Sequence, residues 1–167
     1  MNAPFRPRLV NPEYVADMIA EQARRDPERT ALVFEGATIS YAALEERARK
    51  AANALIGLGL KRGDRLVWLA RNLGVFWETF FGAAKIGVVM TPVNWRLAPG
   101  EVALIIEDAR PALIVGERMF LEPLREAQPN PPAPVMTLEQ DDAKSFERRL
   151  ALAPSTAPTH RPALDDA

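Results

Sequence analysis

The spacing of apolar positions changes period along this chain, and each change predicts an element. Val15, Met18, Ile19 and Ala23 recur at helical spacing, with Asn11 and Pro12 as cap and first helical residue and Asp26-Pro27 as the stop. Residues 30–35 and 38–40 read as short strands joined at Glu35-Gly36, a hairpin signal. Ser40 can cap a helix over residues 41–58, whose Leu44, Ala48, Ala51, Leu55 and Leu58 form one stripe. Glu45 with Arg49 and Glu46 with Lys50 are i,i+4 pairs, expected on a solvated face.

Beyond Gly59 and the turn at Gly63-Asp64 the pattern becomes regular. Residues 66–70 are a continuous apolar run, as in a strand covered on both faces. A helix follows over residues 75–86, then a strand over 88–93. Pro99 opens a helix with the stripe Val102, Ile105, Ile106 and Ala109, and Pro111 precedes a strand over 112–115. A weaker helix, interrupted by Pro123, leads to a fourth strand over 135–138. The predicted class is therefore α/β: an N-terminal helix and β-hairpin, then βα units forming a parallel sheet flanked by helices. Residues 1–140 carry this pattern. Residues 141–167 hold only a short amphipathic patch, 146–152, and prolines at 154, 158 and 162, so a flexible tail is expected there.

Composition narrows the chemistry. With 167 residues, 48% apolar and 26% charged, one domain with a real core is expected. The net charge of −1 offers no electrostatic footprint for nucleic acid. There is no cysteine, and the one histidine, His160, sits in the Pro-rich stretch, so neither a thiol nucleophile nor a histidine metal cluster is available. No apolar run has the length to span a bilayer. A cytoplasmic location is the expectation.

Two glycine patterns invite a nucleotide reading, and both fail on order. Gly82 and Gly87 have the spacing of a phosphate-cradling loop, but Val88-Val89 stand where its lysine and hydroxyl should be. Such a loop also follows a strand and starts a helix, whereas Gly82 lies inside a helix and Gly87 ends it. Gly82 is expected to permit close helix packing and Gly87 to supply a left-handed turn. Gly57, Gly59 and Gly63 likewise follow a helix and precede a strand, the reverse of a dinucleotide fingerprint. Trp68 and Trp77 fall in core patterns, which leaves Trp95, in the loop after a strand, as the aromatic candidate for a site. Asp141-Asp142 and Asp165-Asp166 read as solvated acids. Residue chemistry alone assigns no catalytic, cofactor-binding or metal-binding residue.

Several stretches, in order, resemble the N-terminal part of the AMP-forming acyl-CoA synthetases, in the superfamily of adenylate-forming enzymes. "RDPERTALVFEGATISYAALEERARKAANAL" is similar to that family's opening hairpin and following helix, with Ser40-Tyr41 matching its Thr-Tyr-x-Glu-Leu-like signature and Ala43 replacing the usual acid. "LGLKRGDRLVWLARN" resembles the segment with Gly63-Asp64 and Asn72. "FFGAAKIGVVMTPVNWRLAPGEVALIIEDARPALIV" resembles a core motif, including Pro92, Asn94, Arg96 and Leu97.

The resemblance implies a ligase that joins a carboxylic acid, fatty-acid-like in type, to ATP and passes the acyl group to coenzyme A, with ATP, magnesium and coenzyme A as the family's cofactors. It also implies that the sequence stops short of the machinery. The family's Ser/Thr/Gly-rich nucleotide loop usually follows a segment like Leu164-Asp165-Asp166-Ala167, and Gly116 is the last glycine here. Its later acidic motif and catalytic lysine have no counterpart either, so no site residue is carried over and the chain alone is expected to be inactive and to bind no cofactor. Expected partners are the remainder of a synthetase or a second copy, because the stripe Phe76, Trp77, Phe80 and Phe81 is more aromatic than one helix contact needs and the sheet lacks family elements that would cover it. A non-catalytic partner-binding module, or one half of a split synthetase, is the alternative.

Overall fold

The computed structural model describes residues 15–159. The cap at Asn11-Pro12, His160 and Asp165-Asp166 lie outside them. Helix α1, Val15–Arg25, is followed by the antiparallel strands β1, Thr30–Phe34, and β2, Ala37–Ser40. Glu35 and Gly36 both have positive φ (48° and 80°), the geometry of a two-residue turn whose twist matches that of the strands. Helix α2, Tyr41–Gly57, starts where the Ser40 side chain accepts a hydrogen bond from the Ala43 amide at 3.3 Å.

Then come β3, Arg65–Leu69; α3, Gly74–Lys85; β4, Val89–Pro92; α4, Pro99–Ala109; β5, Leu113–Gly116; α5, Arg118–Ala127; β6, Val135–Thr137; and α6, Phe146–Leu152. The four later strands form one parallel sheet in the order β4-β3-β5-β6. The predicted class and element order hold. Among the described residues no helix is long and apolar enough to cross a membrane.

Strand alternation divides the core into two layers. Leu66, Trp68, Leu113 and Val115 face Ala51 and Leu55 of α2, Ile86 just past α3 and Phe146 of α6. Val67, Leu69 and Ile114 face Val102 and Ile106 of α4 and Leu121 and Leu124 of α5. Leu66 to Leu69 are at most 1% exposed, so this chain's own helices cover both faces of the central strand. The expected bare sheet is not observed there; it is confined to edge strand β4, whose Val89 to Thr91 are half-buried.

Several side chains stand elsewhere than their pattern implied. Val15 and Met18 are about half exposed, and α1 is held instead by Ala16 and Ile19. Ile105 and Trp77 are also exposed (37% and 42%), each at the margin of its helix's apolar stripe. Helix α5 runs through Pro123 without interruption, because the carbonyl it leaves unbonded belongs to exposed Met119, where water can reach it.

The largest correction concerns Glu45. It is 6% exposed, not on a solvated face, and its Oε2 lies 2.8 Å from Nζ of Lys85, which is itself 9% exposed. Lys85 Nζ also donates to the Ala16 carbonyl at 3.1 Å, while Arg49 Nε donates to Glu45 Oε1 at 2.8 Å. One charge cluster thus ties α1, α2 and α3 together. The stretch after residue 140 carries α6, whose Phe146 (0% exposed) and Leu150 belong to the core.

The glycines behave as the packing reading requires. A Cβ at Gly82 would stand 2.5 Å from the Ala51 Cβ, 2.8 Å from the Ala48 carbonyl oxygen and 2.9 Å from the Ala52 nitrogen. Two of those obstacles are backbone of α2, which cannot move aside cheaply. Gly82→Ala should therefore lower the unfolding free energy by about 2–3 kcal/mol. Gly57→Ala, whose Cβ meets nothing within 4 Å, should leave it unchanged or raise it by up to about 1 kcal/mol. Urea unfolding of the two variants checks the pair, and equal effects would contradict the packing role.

Candidate functional site

In an open parallel sheet, ligands bind outside the carboxyl ends of the strands, where successive connections diverge to opposite sides. Here β3 leads to β4 on one side and β5 leads to β6 on the other, while β3 and β5 are neighbours. The divergence point lies between their ends, at residues 70–72 and 116–118. Gly63 and Gly87 precede strands, so they lie at the opposite, amino end of the sheet. Gly87 takes φ +69° and its carbonyl accepts from the Gly63 amide at 2.8 Å. No phosphate loop can be built from them in this topology.

The divergence point is filled by the chain itself. Gly116 lets β5 close on β3, since a Cβ there would stand 2.5 Å from the Leu69 carbonyl oxygen. The next residue, Glu117, is 6% exposed and turns its carboxylate across to Arg71. Glu117 Oε2 accepts from the Arg71 backbone N–H at 2.8 Å, and Oε1 accepts from Arg71 Nε at 2.9 Å. That is the place, and the kind of donor set, that a bound anion would use. Burial alone would push the Glu117 carboxyl up, but hydrogen bonds from Arg71 and its charge outweigh burial and hold it below the usual carboxylate value. Arg71 is correspondingly raised, chiefly by its hydrogen bond to Glu117.

The neighbouring loops repeat the arrangement. The Arg118 amide at the start of α5 donates to Glu139 Oε1 at 2.8 Å, and Thr137 donates its hydroxyl proton to the same carboxylate. The Arg118 guanidinium takes both oxygens of Asp141, at 2.6 and 3.1 Å. Asp141 is exposed, as expected of a solvated acid, yet it is paired, and the Arg118 hydrogen bond lowers its carboxyl. At α4 the Ala98 amide donates to Glu101 Oε2 at 2.8 Å. The Trp95 ring lies tilted against that of Phe120, centroids 5.4 Å apart, and carries the Arg96 guanidinium 4.0 Å above it.

A groove of about 630 Å³ opens elsewhere, between the hairpin, α2, the start of α3 and α6. Of the two cations that line it, Arg47 is bonded to Glu78 at 2.7 Å and Lys50 lies 3.7 Å from Glu46. Among the described residues no group of three or more His, Cys, Asp or Glu side chains is arranged to hold a metal ion. The Arg71–Glu117 pair escaped the sequence reading because its members are 46 residues apart. The available signal was positional: each comes directly after a continuous apolar run, 66–70 or 112–116.

Because the folded-state value of Glu117 is depressed, its stabilisation is present above the unfolded value and lost as pH falls through the folded one. Glu117→Gln should therefore be less stable than the parent at pH 7 and lose less stability on going below about pH 4. Urea midpoints between pH 3 and 7 check this, and parallel curves for the two proteins would contradict it.

The fold has counterparts among known proteins. Residues 19–166 match the family described as AMP-binding enzyme. The fatty acid–[acyl-carrier-protein] ligase ScoC of Streptomyces coeruleorubidus is 34% identical over 121 residues, covering 72% of this chain and 23% of that protein. The crotonobetaine/carnitine–CoA ligase of Salmonella agona is 33% identical over 149 residues, covering 82% and 29%. The structure of a Mycobacterium tuberculosis fatty acyl CoA synthetase superposes with a TM-score of 0.82 at 28% identity, over 92% of this chain and 31% of that one. The chain thus spans less than a third of the length of these relatives. With the family matched across nearly all its residues and the parallel sheet superposing, the chain belongs to the AMP-binding enzymes and corresponds to the N-terminal part of their acyl-CoA ligases.

Proposed function

We propose that this chain is the N-terminal frame of a carboxylate–CoA ligase of fatty-acid type, acting in the cytoplasm, and that its own residues carry no step of the adenylation. The observation that carries this reading is the occupied divergence point, where Glu117 takes the Arg71 amide and guanidinium that a phosphate would need. Transfer of a phosphoryl-linked group requires donors, lysine or arginine and magnesium held around the developing charge. The residues at this edge do not fit that demand: their donors are turned to Glu117, Glu139 and Glu101. ATP, magnesium and coenzyme A therefore belong to the full-length ligase in this reading. The fatty-acid assignment draws on the names of two relatives, an acyl-carrier-protein ligase and an acyl CoA synthetase.

The partner in this reading is the remainder of such a ligase, and the surface offered to it is α3. Trp77 is 42% exposed and makes edge or tilted ring contacts with Phe76, Phe80 and Phe81. In this reading exposed Trp77, with half-buried Phe76, Phe80 and Phe81 beside it, is where the remainder docks. Strands from Thr30 to Thr137 make up that frame's hairpin and sheet, and Phe146 and Leu150 of α6 complete its core.

Incubated with ATP, magnesium and a panel of fatty acids, the chain should release pyrophosphate no faster than buffer and bind ATP no tighter than about millimolar. Adding the remaining two-thirds of a ligase in trans should bring release above that level. Pyrophosphate release by the chain alone would overturn the reading.

A further inference from the structure

Helix α6 has seven residues, too few to be stable on its own. Two different anchors hold it. The first is apolar: Phe146 and Leu150 enter the layer formed by α2, β3 and β5, while Leu152, at the helix end, is 86% exposed. The second is polar and lies beyond the helix, where residues 153–159 have no regular structure. There the Asn53 carboxamide, in the last third of α2, donates from Nδ2 to the Pro154 carbonyl at 2.8 Å and to the Thr156 carbonyl at 2.9 Å. One nitrogen thus spends both its hydrogens on two carbonyls that flank Ser155. The entry side is fixed locally, by the Ser145 hydroxyl accepting from the Arg148 amide at 3.4 Å and by Arg148 Nε donating to the Gln140 carbonyl at 2.8 Å.

These two anchors differ in how easily they release. The Asn53 bonds are exposed to solvent, and each contributes only modestly against water. The segment packs chiefly on α2, with its apolar peg under the helix and its polar clasp on top. We propose that residues 145–156 form a strap that opens as a unit, separately from the sheet, with Asn53 as its clasp. The clasp joins points 101 and 103 residues apart, so it couples the chain that follows Thr156 to the helix on which α3 is seated. A segment beyond the strap that docks or is pulled away shifts the strap's closure and, through it, the support of α2. Asn53 is a positioning residue in this scheme, and the scheme stands independently of the ligase reading.

Hydrogen–deuterium exchange of the full chain tests it, comparing the parent with Asn53→Ala and Asn53→Asp. Asn53→Asp keeps the side-chain shape but sets a carboxylate against two carbonyl oxygens. Amides of residues 148–153 should exchange about tenfold faster in Asn53→Ala, as expected from losing two modest hydrogen bonds, and faster still in Asn53→Asp. Residues 66–70 should exchange at the parent rate in both. Unchanged exchange of the strap in both variants would show that Asn53 is no clasp. Equal acceleration of strap and sheet would show that the strap is not a separate unit. Either result overturns the proposal.

Discussion

Helix α3 lies so close on α2 at Gly82 that a single added carbon would collide with the α2 backbone, and the rest of the architecture follows from that approach. It sets α3 where Ala83 and the adjoining Ile86 complete the layer beneath β3, and it brings Lys85 onto Glu45. A buried pair of this kind gains little over apolar packing, but removing one partner strands a charge at a cost of about 3–5 kcal/mol. Lys85 also satisfies the carbonyl of Ala16, so α1 is recruited to the same node. Helices α2 and α3 are thereby fixed against one face of the sheet, with α1 packed on the pair.

The strands were legible in the sequence because a strand buried on both faces must be apolar at every position, and 66–70 and 112–115 are. The hairpin was legible from Glu35-Gly36 and the start of α2 from Ser40, since both signals are local and their geometry is confirmed. What periodicity cannot supply is the identity of the neighbour. Glu45 and Arg49 have the spacing of a solvated pair, and only the arrival of Lys85 from forty residues on makes Glu45 a buried carboxylate. Trp77 errs the other way: it continues an apolar stripe, yet it stands 42% exposed while its neighbour Phe81 packs on Ile19, Leu44 and Ala48. Phe146 was hidden by its surroundings, since one aromatic among polar and proline residues reads as tail until a cavity receives it.

The carboxyl edge of the sheet was less legible still. Its content is a set of long-range carboxylate contacts, from Glu117 to Arg71 and from Glu139 and Asp141 to Arg118, and no local spacing encodes them. Their effect is to close the edge. The positions that other parallel sheets leave open to phosphates are satisfied internally here, in keeping with a chain that spans the first part of much longer ligases. Glycine at 82, 87 and 116 serves contact and turn geometry throughout: one admits a helix, one reverses the chain, and one lets two strand ends meet.

The central claim is that these glycines belong to packing, in a frame that folds without holding a nucleotide. The most direct measurement follows the backbone amide resonances of Gly82 and Gly87 in the isotope-labelled chain as ATP and magnesium are added. The account predicts a dispersed spectrum, with both resonances unmoved as the nucleotide rises through the millimolar range. Saturable shifts centred on Gly82 and Gly87 would contradict it.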